Sequence, residues 1–346
     1  MPVLTHSLTR PCLSAELQQR LSQPLQIGPV RVDSRVLQSP LAGVTDAVFR
    51  RLVRRFAPHS LLYTEMIGAQ GLAEAKKHLA IATMAEGDKP IGLQLYDRRP
   101  HIMANAARRA EAMGADVIDI NMGCPVRKIA CKGGGSALLR EPELATDIVE
   151  SVVAAVSLPV TVKTRIGWSE SSIEIVDFAR RLQDAGAQML TLHGRTREQG
   201  FKGTARWEWI GRVKQALEIP VIANGDIHSV EAAIACLELT GADGVMCARG
   251  TLGSPELVGH IDRYLKTGEY PPELTAVERL QVAKDHVCWL WDDKGERGIL
   301  QARKHMIWYI EQIPEAAEFR KALCRIESVD SAVEILDRAI ELISLD

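Results

Sequence analysis

Gly114-Ala115-Asp116-Val117-Ile118-Asp119-Ile120-Asn121-Met122-Gly123-Cys124-Pro125 contains the unit from which most of this chain is built. A Gly-Ala pair ends an amphipathic stretch, a run of apolar and β-branched residues follows, and a polar turn closes it. Glycine at a helix C-cap before an apolar strand is the turn that joins helix to strand in alternating α/β architectures. The same punctuation recurs at Gly186-Ala187 and Gly241-Ala242. Outward from this unit, the expected strands are Val36–Pro40, Ser60–Met66, Pro90–Leu95, Asp116–Asn121, Pro159–Arg165, Gln188–His193, Pro220–Asn224 and Asp243–Cys247. Helix-like segments such as 104–112 and 172–185 lie between them. Eight such units suit a closed parallel barrel. An open doubly wound sheet would favour Gly-x-Gly-x-x-Gly after its first strand. Here that turn is Ala42-Gly43-Val44-Thr45-Asp46, and Gly133-Gly134-Gly135 falls in a long loop after the fourth strand.

The chain has 346 residues, more than the roughly 250 of one barrel, so a smaller unit should follow. The strand–helix rhythm stops near residue 270, Pro271-Pro272 marks a boundary, and residues 275–346 carry only helical period. The expected fold class is α/β: a (β/α)8 TIM barrel followed by a small all-helical C-terminal domain. The expected limits are 1–24 for an N-terminal extension, 25–268 for the barrel and 269–346 for the helical domain. Leu25 to Val32 reads as a hairpin turning at Gly28-Pro29, and 14–21 as a short helix. With 46% hydrophobic and 25% charged residues and a formal net charge of −2, nothing global marks a nucleic-acid binder, so such a surface must be a local patch. No apolar run spans a bilayer, and Met1-Pro2-Val3-Leu4-Thr5-His6 lacks a signal-peptide pattern. Seven cysteines with no Cys-x-x-Cys pair argue against a disulfide framework and a zinc site and favour the cytoplasm.

Barrel enzymes carry their chemistry at the carboxyl ends of the strands. Those ends hold Ala42-Gly43, Glu65-Met66, Gln94, Asn121 with Cys124 beyond, Lys163 and Arg165, His193-Gly194-Arg195, Asn224-Gly225-Asp226 and Ala248-Arg249-Gly250. Glycines 225, 250 and 253 in the last two loops, with Arg249, point to a phosphate site rather than to ordinary turns. Cys124 lies in a loop with Arg127, Lys128 and Lys132, an electropositive setting that suits a reactive thiol more than a core cysteine. Cys236 and Cys247 fall on apolar faces and read as packing. Lys163 has three readings: a Schiff-base lysine, a cation holding an anionic cofactor edge, or a snorkelling barrel residue. His193 reads as a base, a cofactor ligand or a structural group.

The chain resembles the tRNA-dihydrouridine synthases, most closely bacterial subfamily B. The matching runs are Pro40-Leu41-Ala42-Gly43-Val44-Thr45-Asp46 with Phe49-Arg50, Gln94-Leu95, Asp119-Ile120-Asn121-Met122-Gly123-Cys124-Pro125 and Gly135-Ser136-Ala137-Leu138-Leu139. Val162-Lys163, His193-Gly194-Arg195-Thr196-Arg197, Ile222-Ala223-Asn224-Gly225-Asp226-Ile227, Ala248-Arg249-Gly250, and Ala302-Arg303-Lys304-His305 with Trp308-Tyr309 complete the set. The resemblance spans about residues 27 to 325. It implies FMN, NADPH as a visiting electron donor, and reduction of the C5–C6 double bond of a uridine in tRNA, with position 17 of the D-loop suggested by subfamily B. Hydride would pass from reduced FMN N5 to C6, and Cys124, as a neutral acid, would give the proton to C5. By the same resemblance, Lys163 would face the N1–C2=O edge of the flavin and Gln94 its pyrimidine side. Asn121 and His193 would lie beside the ring, and Pro40, Ala42 and Gly43 would let the backbone approach. Asn224, Gly225, Asp226, Ala248, Arg249 and Gly250 would hold ribityl and phosphate.

A uridine buried in folded tRNA has to be extruded to react. Arg127, Lys128, Lys132, Arg195, Arg197, Lys202, Arg303 and Lys304 are the expected RNA contacts. Residues 271–346 hold 10 Lys/Arg against 15 Asp/Glu, so RNA must find a local stripe there, such as the helix with Arg303, Lys304 and Trp308. Core packing accounts for Trp308 equally well. A monomer is expected, with no metal and no membrane partner. Three other readings stay open: a flavin-dependent reductase of a free pyrimidine related to dihydroorotate dehydrogenase, a Schiff-base aldolase using Lys163, and a non-catalytic RNA-binding protein, which leaves Cys124, Lys163 and His193 unexplained.

Overall fold

In the computed structural model, which describes residues 10–74, 80–85, 87–311 and 313–345, the alternation of apolar runs and amphipathic stretches becomes strands and helices. Residues 1–9 of the expected extension lie outside the described residues. Helix α1 (Ala15–Leu21) leads into a hairpin of β1 (Leu25–Ile27) and β2 (Val30–Val32), with Gly28 at φ 51° in its turn. The barrel strands follow: β3 (Val36–Gln38), β4 (Leu62–Tyr63) with its continuation β5 (Ile67–Gly68), β6 (Ile91–Tyr96), β7 (Val117–Met122), β8 (Val160–Arg165), β9 (Met189–His193), β10 (Val221–Asn224) and β11 (Gly244–Cys247). The strands expected from Pro90, Pro159 and Pro220 begin one residue later, because proline has no N–H for the ladder. Of the second expected strand, Ser60–Met66, only Leu62–Tyr63 forms β4, and β5 begins at Ile67, just past its end; both pair with β6.

Every barrel pairing is parallel, in the order β3-β11-β10-β9-β8-β7-β6-β4. The remaining gap is bridged by Gln38 N–H donating to Leu61 O at 3.3 Å. This is the barrel, not the open sheet. Outside the strands run α2 (Ala47–Phe56), α3 (Ala69–Glu74), α4 (Pro100–Ala112), α5 (Arg127–Ala130), α6 (Pro142–Val153), α7 (Ile175–Asp184), α8 (Trp207–Ala216), α9 (Val230–Thr240) and α10 (Leu257–Thr267). The Gly-Ala junctions at 114, 186 and 241 have glycine φ values of 94°, 98° and 62°, which a side chain would resist. Strand β7 is buried at every position, as expected of a strand covered on both faces.

A second core closes the barrel's lower end. Leu25, Ile27 and Val32 of the hairpin pack on Leu37, Leu61, Tyr63, Val117, Met189 and Ile222, which lie at the strand starts. Gly92 leaves room for the Tyr63 ring, since a Cβ there would stand 2.5 Å from it. Beyond the barrel come α11 (Ala276–Lys294), α12 (Glu296–Tyr309), α13 (Ala316–Leu323) and α14 (Val329–Leu345). A Thr275–Glu278 capping box starts α11. Among the described residues no helix is long and apolar enough to cross a membrane.

Candidate active site

The carboxyl ends of the strands surround a cavity of about 510 Å³. Its wall includes Pro40, Ala42, Gln94, Asn121, Cys124, Lys163, His193, Asn224, Gly225, Asp226, Ala248 and Arg249, so twelve of the fourteen expected catalytic and cofactor residues converge. Gly43 and Gly250 stand directly behind them in the chain. Apolar surface comes from Met66, Met246 and Leu252. An apolar slot with a few convergent polar groups is what a planar cofactor with one polar edge requires.

One chain of hydrogen bonds crosses three neighbouring strands. Gln94, Asp119 and Thr161 are register partners on β6, β7 and β8. Thr161 Oγ1 donates to Asp119 Oδ1 at 2.6 Å, and Gln94 Nε2 donates to Asp119 Oδ2 at 2.7 Å. Gln94 Oε1 accepts from Asn121 Nδ2 at 2.8 Å, and Asn121 Oδ1 accepts the backbone N–H groups of Gly123 and Cys124 at 3.1 and 2.9 Å. An ionised carboxylate only accepts, so Asp119 orients both amides and, through them, the Cys124 turn. Burial pushes Asp119 up to about 6, against the hydrogen bonds of Gln94 and Thr161 and the charge of Lys163. Burial also pushes the Cys124 thiol up, while Arg165 and Lys163 pull it back in part. The electropositive loop therefore does not make a thiolate, and the thiol keeps its proton at neutral pH.

Lys163 Nζ donates to Asn224 Oδ1 at 2.9 Å, and Asn224 Nδ2 is held by Met246 O at 2.8 Å. Burial, with Arg165 nearby, lowers Lys163 to about 8. Arg165, two residues along the same face of β8, donates to Gly123 O, Thr196 O and Gly200 O at 2.7, 3.1 and 2.8 Å. It ties the Cys124 turn to the loop after β9. His193 is held well below the ordinary histidine value by burial and by Arg165, Lys163, Arg195 and Arg249. Arg195 Nη1 lies 3.3 Å from His193 Nε2. Arginine can only donate, so Nε2 accepts and the neutral ring carries its proton on Nδ1.

Arg195 corrects an expectation. Its side chain is 2% exposed and pairs with Asp226 at 2.8 Å while donating to Lys202 O and Gly203 O, so it offers no surface to RNA. Asp226, at φ 58°, also accepts Ala205 N–H at 2.7 Å. Its carboxylate braces the loop after β9, which leaves its backbone rather than its side chain for any phosphate. Arg303 is half-buried and donates Nε–H to Ile326 O at 2.9 Å. Arg127, Lys128, Lys132, Lys202 and Lys304 are exposed, Arg197 is partly buried, and Lys304 lines the cavity.

The helical region completes the site. Lys304 and Trp308 of α12 form part of the wall, and His305 stacks on Trp308 with ring centroids 4.7 Å apart. His305 also meets Gly43 O. Lys294 and Gln301 both reach Asp46, the N-cap of α2, with Gln301 Nε2 at 2.6 Å. Glu65 accepts the Gly43 N–H. The loop from Leu41 to Asp46 is thus clamped from both sides. Sequence reasoning left Thr161, Arg165 and Phe201 without roles and left Trp308 open. Arg165 had a usable signal, the two-residue spacing from Lys163 that puts both on one strand face. Phe201, 56% exposed on the cavity wall, sits in an aperiodic loop and had none.

A family model for dihydrouridine synthases matches residues 37–344. The chain belongs to the dihydrouridine synthase family. A probable tRNA-dihydrouridine synthase 1 of Synechocystis sp. is 59% identical over 324 residues, 94% of this chain and 91% of that protein. A tRNA-dihydrouridine synthase B of Pseudomonas aeruginosa is 39% identical over 309 residues, 89% of this chain and 93% of that one. Among solved structures, a Rhizobium histamine dehydrogenase at 15% identity gives a TM-score of 0.55 over 79% of this chain and 51% of its own. An old yellow enzyme homologue of Zymomonas mobilis at 16% identity gives 0.52 over 73% and 94%. These two bear on the fold, which they share. Within the family, the Asn121–Pro125 and His193–Arg197 runs now have places: the first carries the thiol, and the second braces the wall beside it.

Proposed function

We propose that this family member is a tRNA-dihydrouridine synthase that reduces the C5–C6 double bond of a uridine in tRNA, with Cys124 giving the proton to C5. The observation that carries this reading is a protonated thiol on the cavity wall, oriented through Asn121 and Gln94 from a buried carboxylate. FMN, when bound and reduced by NADPH, would supply the hydride to C6. The donor set fits that group: Gln94, Asn121, Lys163 and His193, with Pro40, Ala42 and Gly43, would hold the ring. Asn224, Gly225, Asp226, Ala248, Arg249 and Gly250 would hold ribityl and phosphate. Lys163, lowered only to about 8, is still mainly a cation at neutral pH and so suits an anionic edge better than a Schiff base.

Residues 25–268 form the catalytic unit in this reading, and 269–346 grip tRNA while closing the site with Lys304 and Trp308. Residues 1–24 receive no role. The enzyme works in the cytoplasm as a monomer, and its uridine lies in the D-loop, at position 17. Cys124→Ala tests the proton donor. FMN content and reduction by NADPH should persist while dihydrouridine formation in unmodified tRNA falls by roughly 10²–10⁴. Unchanged turnover would remove Cys124 from the mechanism. Free uracil or orotate turning over better than tRNA would shift the reading to a small pyrimidine.

A further inference from the structure

Arg140, Trp168 and Arg197 form a cluster that the reaction itself does not use. Arg140 ends the turn Gly135–Arg140 beyond Cys124, Trp168 follows Arg165, and Arg197 follows His193. The Cζ atoms of Arg140 and Arg197 lie 4.8 and 4.6 Å from the centre of the same indole ring. Among the described residues, neither guanidinium has a carboxylate partner. The acids around them are engaged elsewhere: Glu141 with Arg98 at 3.1 Å, Glu143 with Arg181 at 2.7 Å, and Glu170 with Arg206. Glu198, next in the chain, pairs with neither arginine, and Arg197 Nε is buried without a hydrogen-bond partner. Two like charges gathered on one ring without a counter-charge leave room for an anion.

The geometry suits phosphate. A guanidinium stacked on an indole is held in place while its N–H edges stay free to fork onto phosphate oxygens. The platform is stiff, because Arg197 N–H donates to Gly167 O at 2.9 Å and Glu198 N–H to Trp168 O at 3.0 Å. It is also indexed to the catalytic thiol, because Arg165 holds both Thr196 O and Gly123 O. The loops after β7, β8 and β9 are neighbours on the rim, and the first also carries exposed Arg127, Lys128 and Lys132. A row of cations fits a polyanion better than a single phosphate group.

We infer that Arg140, Trp168 and Arg197 seat the phosphate backbone of the tRNA beside the extruded uridine, an inference that rests on the tRNA reading above. The test is binding of labelled unmodified tRNA to the FMN-loaded protein across a salt series. Arg140→Gln with Arg197→Gln should weaken binding about tenfold or more and reduce the log–log salt slope by roughly 1.4–1.8, about 0.7–0.9 per contact. Trp168→Leu keeps both charges, so it should weaken binding about 3- to 10-fold with the slope unchanged. Melting curves identify a misfolded Trp168→Leu, in which case the arginine pair decides alone. An unaltered affinity and slope for the pair overturns the assignment. So does a raised NADPH KM with tRNA affinity intact, which would hand these arginines to the dinucleotide. Loss of tRNA affinity in the substituted protein, together with wild-type protein that forms no dihydrouridine, would support this surface and refute the activity instead.

Discussion

His305 Nε2 lies 3.2 Å from the carbonyl oxygen of Gly43, and this contact orders every proton in the buried relay behind it. A carbonyl only accepts, so Nε2 carries the hydrogen and Nδ1 of the neutral ring must accept. His286 Nε2, 3.3 Å away, is then the donor, and its own Nδ1 accepts from Tyr309 O–H at 3.0 Å. Burial holds His286 at about 3 and His305 at about 4, so both rings are neutral in the working range.

His305→Ala should leave the Gly43 carbonyl unsatisfied and loosen the loop that faces the cofactor. FMN affinity of the apoprotein is expected to fall about tenfold, from the roughly 1–3 kcal/mol of an orphaned buried acceptor. His305→Gln, which keeps a donor, should recover part of it. Fluorescence titration measures both, and equal affinity in wild type and alanine variant would detach the relay from the cofactor. The acid limb gives a second readout. Both histidines have folded values below the ordinary 6.5, so their stabilisation is present above pH 6.5 and is lost as pH falls toward about 4. Denaturation midpoints should decline more gently over that window in His305→Gln.

Lys163 gives the cofactor site its own pH dependence. The protonated ammonium is the form that attracts an anionic edge, and free protein holds that proton only below about 8. Above this value, binding must take up a proton, so the FMN Kd should rise by up to tenfold per pH unit. Lys163→Met should bind more weakly at pH 7 and show no such rise. A wild-type Kd that stays flat from pH 7 to 9.5 contradicts the assignment.

Asp119→Asn replaces an acceptor-only group by an amide that also donates. Gln94 and Asn121 then lose the reason to point as they do, and the Cys124 turn loses its fixed reference. The tRNA half-reaction is expected to slow by about 10²-fold, the cost of a misplacement on the order of 1 Å. FMN reduction by NADPH, followed by stopped-flow absorbance, should change far less. Equal slowing of both half-reactions would show that Asp119 supports the whole barrel.

Gly253 joins the barrel to the helices. It sits at φ 74°, and a Cβ there would stand 2.3 Å from Trp308 O. Gly253→Ala should cost about 1–3 kcal/mol in chemical denaturation and displace Lys304 and Trp308 from the cavity wall, raising the KM for tRNA. An alanine variant with wild-type stability would mean that α12 shifts freely on the barrel.

The barrel was legible because six of its strands are announced by the residues before them: Gly-Ala before β7, β9 and β11, and proline before β6, β8 and β10. The break between β4 and β5 was not, since two short pairings leave no period in Ser60–Met66. Residues of the cavity wall could be read because strand ends in a barrel converge by construction. Arg195 misled, because a basic residue after a strand looks the same in sequence whether it points to solvent or, as here, into Asp226. The His286–His305–Tyr309 relay was invisible for a different reason. Its members lie on two helices whose crossing is set by packing such as that of Gly298 against Leu290 O, which no local pattern encodes.

The plug formed by Leu25, Ile27 and Val32 has a consequence for timing. In the proposed reaction, with the lower mouth of the barrel sealed, reductant and RNA would share one doorway, and a tRNA seated over it would block the other visitor. The two substrates would therefore take turns, and double-reciprocal plots against NADPH at several tRNA concentrations should be parallel; intersecting lines would mean that both are accommodated at once.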